Sequence, residues 1–132
     1  MLSFVLSLWL LLFPSVGDCR AIEQVSLSSP TVELDEVIEV EVTLHNCTTK
    51  PEEILLVGIA ELKECDESLV FAQGDIALEG SQAKVLNGVV PFKGAPCTGK
   101  AVIHVLAYKD GKGLDRVDVP FTVTPRKVIA ND

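Results

Sequence analysis

The residues of this chain whose chemistry can be read from type and spacing are four cysteines, two histidines, one sequon and two acidic clusters. Cys19, Cys47, Cys65 and Cys97 are even in number and widely spread, the pattern of two disulfides in a small secreted domain. A zinc site needs Cys-x-x-Cys or close histidine spacing, and the chain has neither. Asn46-Cys47-Thr48 is an N-glycosylation sequon, which makes Asn46 a candidate glycan site, although a disulfide-bonded Cys47 beside it can hinder access. His45 and His104 read as structural histidines, since a catalytic one needs a nucleophile and an orienting partner spaced around it. The chain contains no Gly-x-Ser-x-Gly elbow, no His-Glu-x-x-His pair and no phosphate-binding glycine loop. Carboxylates gather at Glu33, Asp35, Glu36, Glu39 and Glu41, and again at Glu61, Glu64, Asp66 and Glu67. Their spacing, with Asp75, does not specify a calcium loop, so they read as a solvated acidic face. The expectation is a protein that is not an enzyme and uses no metal or cofactor.

Oxidised cysteines require a compartment that permits them, and the start of the chain supplies an address. Phe4 to Phe13 is an apolar run broken only by Ser7, followed by Pro14-Ser15-Val16-Gly17 and the first charged residue, Asp18. The run is too short to span a bilayer, and small residues sit before Asp18. Residues 1–17 are expected to be a secretory leader, leaving residues 18–132 as one domain with no transmembrane anchor. Such a protein is extracellular, or sits in a lysosomal or vacuolar lumen. The only Trp (Trp9) and the only Met (Met1) fall in the leader. With 11 basic against 19 acidic residues the net charge is −8, which disfavours a nucleic-acid partner.

The elements that must position these residues are short β-patterned runs. Ile38, Val40, Val42 and Leu44 alternate with Glu39, Glu41, Thr43 and His45, the period of a half-buried strand. Ile22, Val25 and Leu27 suggest a first strand ending at Pro30. Ile54 to Leu62 is apolar on both faces, as a central strand would be. A looser run covers Leu69 to Leu78 and is interrupted by Gly74, and another covers Ala83 to Phe92. Ala101 to Tyr108 is rich in β-branched residues. Lys109-Asp110-Gly111-Lys112-Gly113 reads as a hairpin connection, and Val117, Val119, Phe121 and Val123 alternate as a last strand. About seven strands and no amphipathic helix predict an all-β, immunoglobulin-like antiparallel sandwich. The immunoglobulin signature itself is missing, because no Trp lies between the cysteines.

Strand parity bears on the disulfides. If successive strands alternate in direction, Cys47 turns at the end of the sandwich where Cys19 enters, and Cys65 and Cys97 share the opposite end. The pairing expected is Cys19–Cys47 and Cys65–Cys97.

The apolar content is high for so small a domain. Val40, Val42, Val57, Ile59, Phe71, Val89, Phe92, Ile103, Val105 and Phe121 are candidates for the facing sheet surfaces. They serve either a filled core or, where the sheets splay, a pocket for a hydrophobic ligand.

Several stretches resemble the ML lipid-recognition family. Asp18-Cys19 followed by Ile22, Val25 and Pro30 is similar to the family's opening, and Glu36 to Asn46 to its second strand. Leu78-Glu79-Gly80-Ser81, leading to Val85-Leu86-Asn87, resembles a family turn. Thr98-Gly99-Lys100-Ala101-Val102-Ile103, then Leu106, Asp110, Gly111, Leu114 and Val119-Pro120, follow its last hairpin in order and spacing. The family places a cysteine on the last strand, paired with the first one, where this chain has Arg116. It also has a short cysteine loop before the second strand, which this chain lacks. The resemblance implies a sandwich that opens to take a lipid or sterol between its sheets, by apolar burial alone at about 25 cal/mol per Å². The function expected is a secreted, non-enzymatic binder of a lipid, sterol or other hydrophobic molecule. The alternative is an immunoglobulin-like interaction module that recognises a partner protein, or inhibits a protease, through loops or an edge strand.

Overall fold

The computed structural model describes residues 19–126. The leader expected over residues 1–17 lies outside the described residues. Eight strands follow in order: β1 (Ile22–Leu27), β2 (Thr31–Glu33), β3 (Val37–His45), β4 (Glu52–Leu62), β5 (Glu67–Leu78), β6 (Ala83–Pro91), β7 (Gly99–Lys109) and β8 (Lys112–Thr124). They form a three-stranded sheet, β1-β3-β6, and a five-stranded sheet, β2-β8-β7-β4-β5. All pairings are antiparallel except β2 with β8. Among the described residues, no helix is long and apolar enough to cross a membrane.

Alternation decides which side chains meet between the sheets. On β3, Ile38, Val40, Val42 and Leu44 are buried, while Glu39 and Glu41 face water. On β7, Ala101, Ile103, Val105 and Ala107 form the inward row. Each large aliphatic buried here contributes roughly 1.5–3 kcal/mol. Phe121 and Val123 complete the core from β8, and Phe92 packs on Phe121 with ring centroids 5.6 Å apart. The two-residue turn Asp110-Gly111 carries positive φ at both positions (52° and 79°). That is the type I′ geometry whose twist suits a tight hairpin, as the Asp-Gly dipeptide leads one to expect.

The run ending at Pro30 differs from expectation. After Leu27 the chain does not stop but crosses to the other sheet, where β2 pairs in parallel with β8. This adds the eighth strand without reversing the chain, so the strand parity expected from the sequence is kept. The cysteines join as that parity demands: Cys19–Cys47 with Cα atoms 5.9 Å apart, and Cys65–Cys97 at 6.1 Å.

The last strand has no cysteine for Cys19, but an ion pair reaches it from the next residue. Arg20 forms a two-pronged contact with Asp115 of β8, at 2.6 and 3.2 Å. The same carboxylate accepts the Ile22 backbone N–H at 3.0 Å. Partial burial acts to raise the Asp115 carboxyl, yet the Arg20 guanidinium and two backbone N–H groups outweigh it and hold it below the ordinary range.

Candidate functional site

The site is the edge where the two sheets fail to join. β5 and β6 follow each other in sequence, but each is the outer strand of a different sheet, so no backbone ladder closes the gap between them. Behind this edge lies an apolar cavity of about 210 Å³. Val40 and Val42 of β3, Leu56 of β4, Val105 of β7, Ile76 of β5 and Leu86 of β6 line it.

A β-bulge places the aromatic residue of this cavity. Gly58 pairs with Ala72 and Ile59 with Val70, so Phe71 is the extra residue of β5. A bulge re-aims a side chain, and here it sends Phe71 inward alongside Ala72 rather than letting the two alternate. The tip of the ring reaches β4: a Cβ added to Gly58 would stand 2.5 Å from Phe71 Cζ. A Cβ on Gly88 of β6 would stand 3.5 Å from the same ring. Two in-strand glycines therefore make the seat for one phenyl ring that touches both sheets.

Further along the edge lies a second cavity of about 230 Å³. Ala60 and Leu62 floor it, with Leu69, Phe92 and Pro96 around it, and Glu67, Ser68 and Lys93 at its rim. Leu69, Val70, Val85 and Val89 are each about half exposed on the two edge strands.

Of the ten apolar residues expected between the sheets, Val40, Val42, Phe71 and Val105 line the first cavity and Phe92 the second. Ile103 and Phe121 are packed in the core. Val57, Ile59 and Val89 need correction. On β4 the inward parity belongs to Ile54, Leu56, Gly58, Ala60 and Leu62, which leaves Val57 and Ile59 on the outer face. On β6, Val90 is fully buried and Val89 is 52% exposed. Leu56, Ile76, Leu86 and the two glycines were missed. A glycine inside an otherwise regular strand is the signal that could have found Gly58 and Gly88.

The sequon residue also needs correction. Asn46 is fully buried. Its Nδ2 donates to the carbonyls of Lys50 at 2.8 Å and Glu79 at 2.9 Å. Its Oδ1 accepts the Thr48 N–H at 2.9 Å and the Thr48 hydroxyl at 2.8 Å. A glycan on Nδ2 would displace both carbonyls, so the folded chain has no room for one. Asn46 instead ties the end of β3 to the turns before β4 and after β5.

The histidines stand apart from the cavities. His104, on the outer face of β7, has Nε2 2.8 Å from Glu61 Oε1 of β4 and Nδ1 2.6 Å from Asp118 Oδ1 of β8. Both carboxyls are held below their ordinary range, chiefly by the hydrogen bond to His104. For Asp118 the Arg116 guanidinium at 3.0 Å adds to the effect. The cluster fastens three neighbouring strands together across the sheet. At the other end, His45 Nδ1 lies 3.2 Å from Cys19 Sγ. Cys19, His45 and Cys47 are close enough together to suggest a metal group, but both sulfurs are committed to the disulfide and are not thiolates.

No protein-family model matches the chain, and no curated protein matches its sequence. Solved structures do match. A Niemann-Pick type C2 protein from the Japanese carpenter ant is similar over 78% of this chain and 91% of its own, with a TM-score of 0.55 and 10% identity. An alkylpurine DNA glycosylase, AlkC, from Pseudomonas fluorescens, bound to DNA with an abasic-site analogue, is similar over 81% of this chain (TM-score 0.64, 17% identity). A β-glucosidase from Erythrobacter marinus is similar over 76% (TM-score 0.55, 11% identity). This chain spans 31% of the glycosylase and 15% of the glucosidase, but nearly all of the ant protein. At these identities the likeness is one of fold.

Proposed function

We propose that this chain is a non-enzymatic binding protein that takes a hydrophobic ligand between its two sheets, at the edge between β5 and β6. The apolar cavity behind that edge carries the reading. A filled core would close it, yet the space remains beside the Phe71 ring that the bulge and the two glycines seat between the sheets. The fold shared with the Niemann-Pick type C2 protein over nearly its whole length supports the same reading, as does the resemblance of the last hairpin to the lipid-recognition family. The two disulfides fit an oxidising compartment, outside the cell or in a lumen. The likeness to a DNA-bound glycosylase brings no DNA reading with it, because a net charge of −8 opposes phosphate contacts.

The test is extraction and native mass spectrometry of the protein purified from its secreting host, followed by titration with a fluorescent fatty acid and a fluorescent sterol. Co-purifying lipid, or saturable binding of either probe at one site, is the result expected. A dry protein that binds neither probe overturns the reading. In that case the half-exposed Leu69, Val70, Val85 and Val89 on unpaired strand edges favour the interaction module. Lys112→Glu, on the hairpin away from the cavities, should leave ligand binding unchanged.

A further inference from the structure

We infer that the ligand is a single straight acyl chain rather than a fused-ring sterol, lying along the β5/β6 edge with its tail past Phe71. The inference rests on the binding function proposed above and names the ligand class for that site.

Three observations carry it. First, the two cavities lie in line. On β4 the first is lined by Leu56 and Gly58 and the second by Ala60 and Leu62. On β5 the first takes Phe71 to Ile76 and the second Glu67 to Leu69, and on β6 the first takes Leu86 to Gly88 and the second Pro91. The same boundary thus recurs on three strands, and the Phe71 ring stands on it. Second, each chamber alone, at about 210 and 230 Å³, is below the roughly 300 Å³ at which pockets for drug-sized ligands begin. A rigid ring system must fit one chamber whole or push the sheets apart. A flexible chain can occupy both by turning one phenyl ring. From Leu56 to Leu62 the slot is about 20 Å long at roughly 3.3 Å per residue. One acyl chain spans about 15 Å, half of a bilayer's hydrocarbon core.

Third, the chambers differ in polarity, which orients the chain. The first is walled by Val40, Val42, Leu56, Leu86 and Val105, and its polar lining, Gln73 and Asn87, carries no charge. The second has Glu67, Ser68 and Lys93 at its rim. The tail belongs in the first chamber and the polar head at the rim of the second.

A chain-length series tests this on the whole folded protein. Straight-chain fatty acids from octanoic to stearic are titrated by competition with a fluorescent fatty acid, and cholesterol is run beside them. Affinity should rise about fourfold per methylene until the slot is full, then level off. Cholesterol should bind at least tenfold more weakly than the best chain. Phe71→Ala, which merges the chambers, should narrow that gap by improving cholesterol, and Leu86→Trp, which fills the first chamber, should move the plateau to shorter chains. The wild-type series needs neither variant to fold. Cholesterol binding as tightly as the best chain, or an affinity independent of chain length, overturns the inference while leaving a hydrophobic-ligand protein. Binding of neither class overturns both.

Discussion

Replacing Asn46 by Ala should be among the most damaging single changes in this domain. The side chain is fully buried and makes four hydrogen bonds of 2.8–2.9 Å, to Lys50, Glu79 and twice to Thr48. Each such bond contributes about 0.5–1.5 kcal/mol net, and partners left buried without one add a desolvation cost of about 1–3 kcal/mol. The Asn46 backbone N–H keeps its bond to Gln82, and Ala leaves only a small void, so the loss should be about 3–5 kcal/mol. Against the roughly 5–15 kcal/mol of an ordinary domain, that is about a fifth of the total or more. The melting temperature should fall by about 12–20 °C, at roughly 4 °C per kcal/mol for a domain near this size. The assay is urea unfolding followed by far-UV circular dichroism, since the only Trp lies in the expected leader. The slope against urea should stay constant while the midpoint falls. A loss below about 1 kcal/mol would refute the reasoning, because Asn46 would then not be the tie its contacts describe. So would folded, secreted protein bearing a glycan on Asn46.

Cys65→Ser with Cys97→Ser opens a link of sequence separation 32 and should cost about 3–4 kcal/mol by loop-closure entropy, read as a lower urea midpoint. Glu61 and Asp118 are held below their unfolded values by His104, so they stabilise the fold above about pH 4 and lose that contribution as pH falls through their folded values. His104→Ala should therefore flatten the fall in thermal stability below about pH 4, and a curve parallel to the parent's would count against the cluster. Gly58→Ala puts a Cβ 2.5 Å from Phe71 Cζ and must push the ring off its seat. Stability should drop by about 1–3 kcal/mol, with altered ligand affinity, and an unchanged melting temperature would mean that the ring has free space to move into.

Much of the fold was legible because it follows from period and parity. The alternation on β3 sets which residues are buried, and the parity of strand directions sets which cysteines meet. Parity survived the unforeseen β2 because the chain changes sheet there without turning back. The site was legible only in part. On β4, apolar residues occupy both faces and the outer-face Leu55, Val57 and Ile59 are half-buried, so hydrophobicity does not tell Leu56 from Val57. On β6, Val89 and Val90 differ by one step of the same period, and a run of like residues hides the phase. The bulge at Phe71 depends on the partner strand's register and leaves no mark on β5 itself. The sequon misled because its motif is shared by exposed asparagines and by buried ones that turn the chain onto their own Thr48.

The same contacts explain why an opening at this edge need not unfold the protein. At one end of the gap, Asn46 at the end of β3 grips the Glu79 carbonyl just beyond β5, joining the two sheets. At the other end, Cys65 in the turn after β4 holds Cys97 in the segment that carries the chain from β6 across to β7. Both ends of the β5/β6 gap are therefore pinned, one by buried hydrogen bonds and one covalently. Between the pins the edge has no backbone ladder, and its middle is a phenyl ring seated on two glycines. Motion with few bonds to break is concentrated there, where local opening is cheapest. A ligand would enter sideways past Phe71 rather than through either end, and the pins would return the sheets to register after it leaves. Weakening a pin and weakening the seat therefore differ in how much stability is lost for a given gain in exchange rate. Loss of Cys65–Cys97 should lower stability and speed ligand exchange together, whereas Phe71→Ala should speed exchange with a smaller loss of stability. Stopped-flow displacement of a fluorescent fatty acid, set beside urea midpoints for both variants, separates the two. Equal exchange rates in Phe71→Ala and the parent would show that the ligand uses another door.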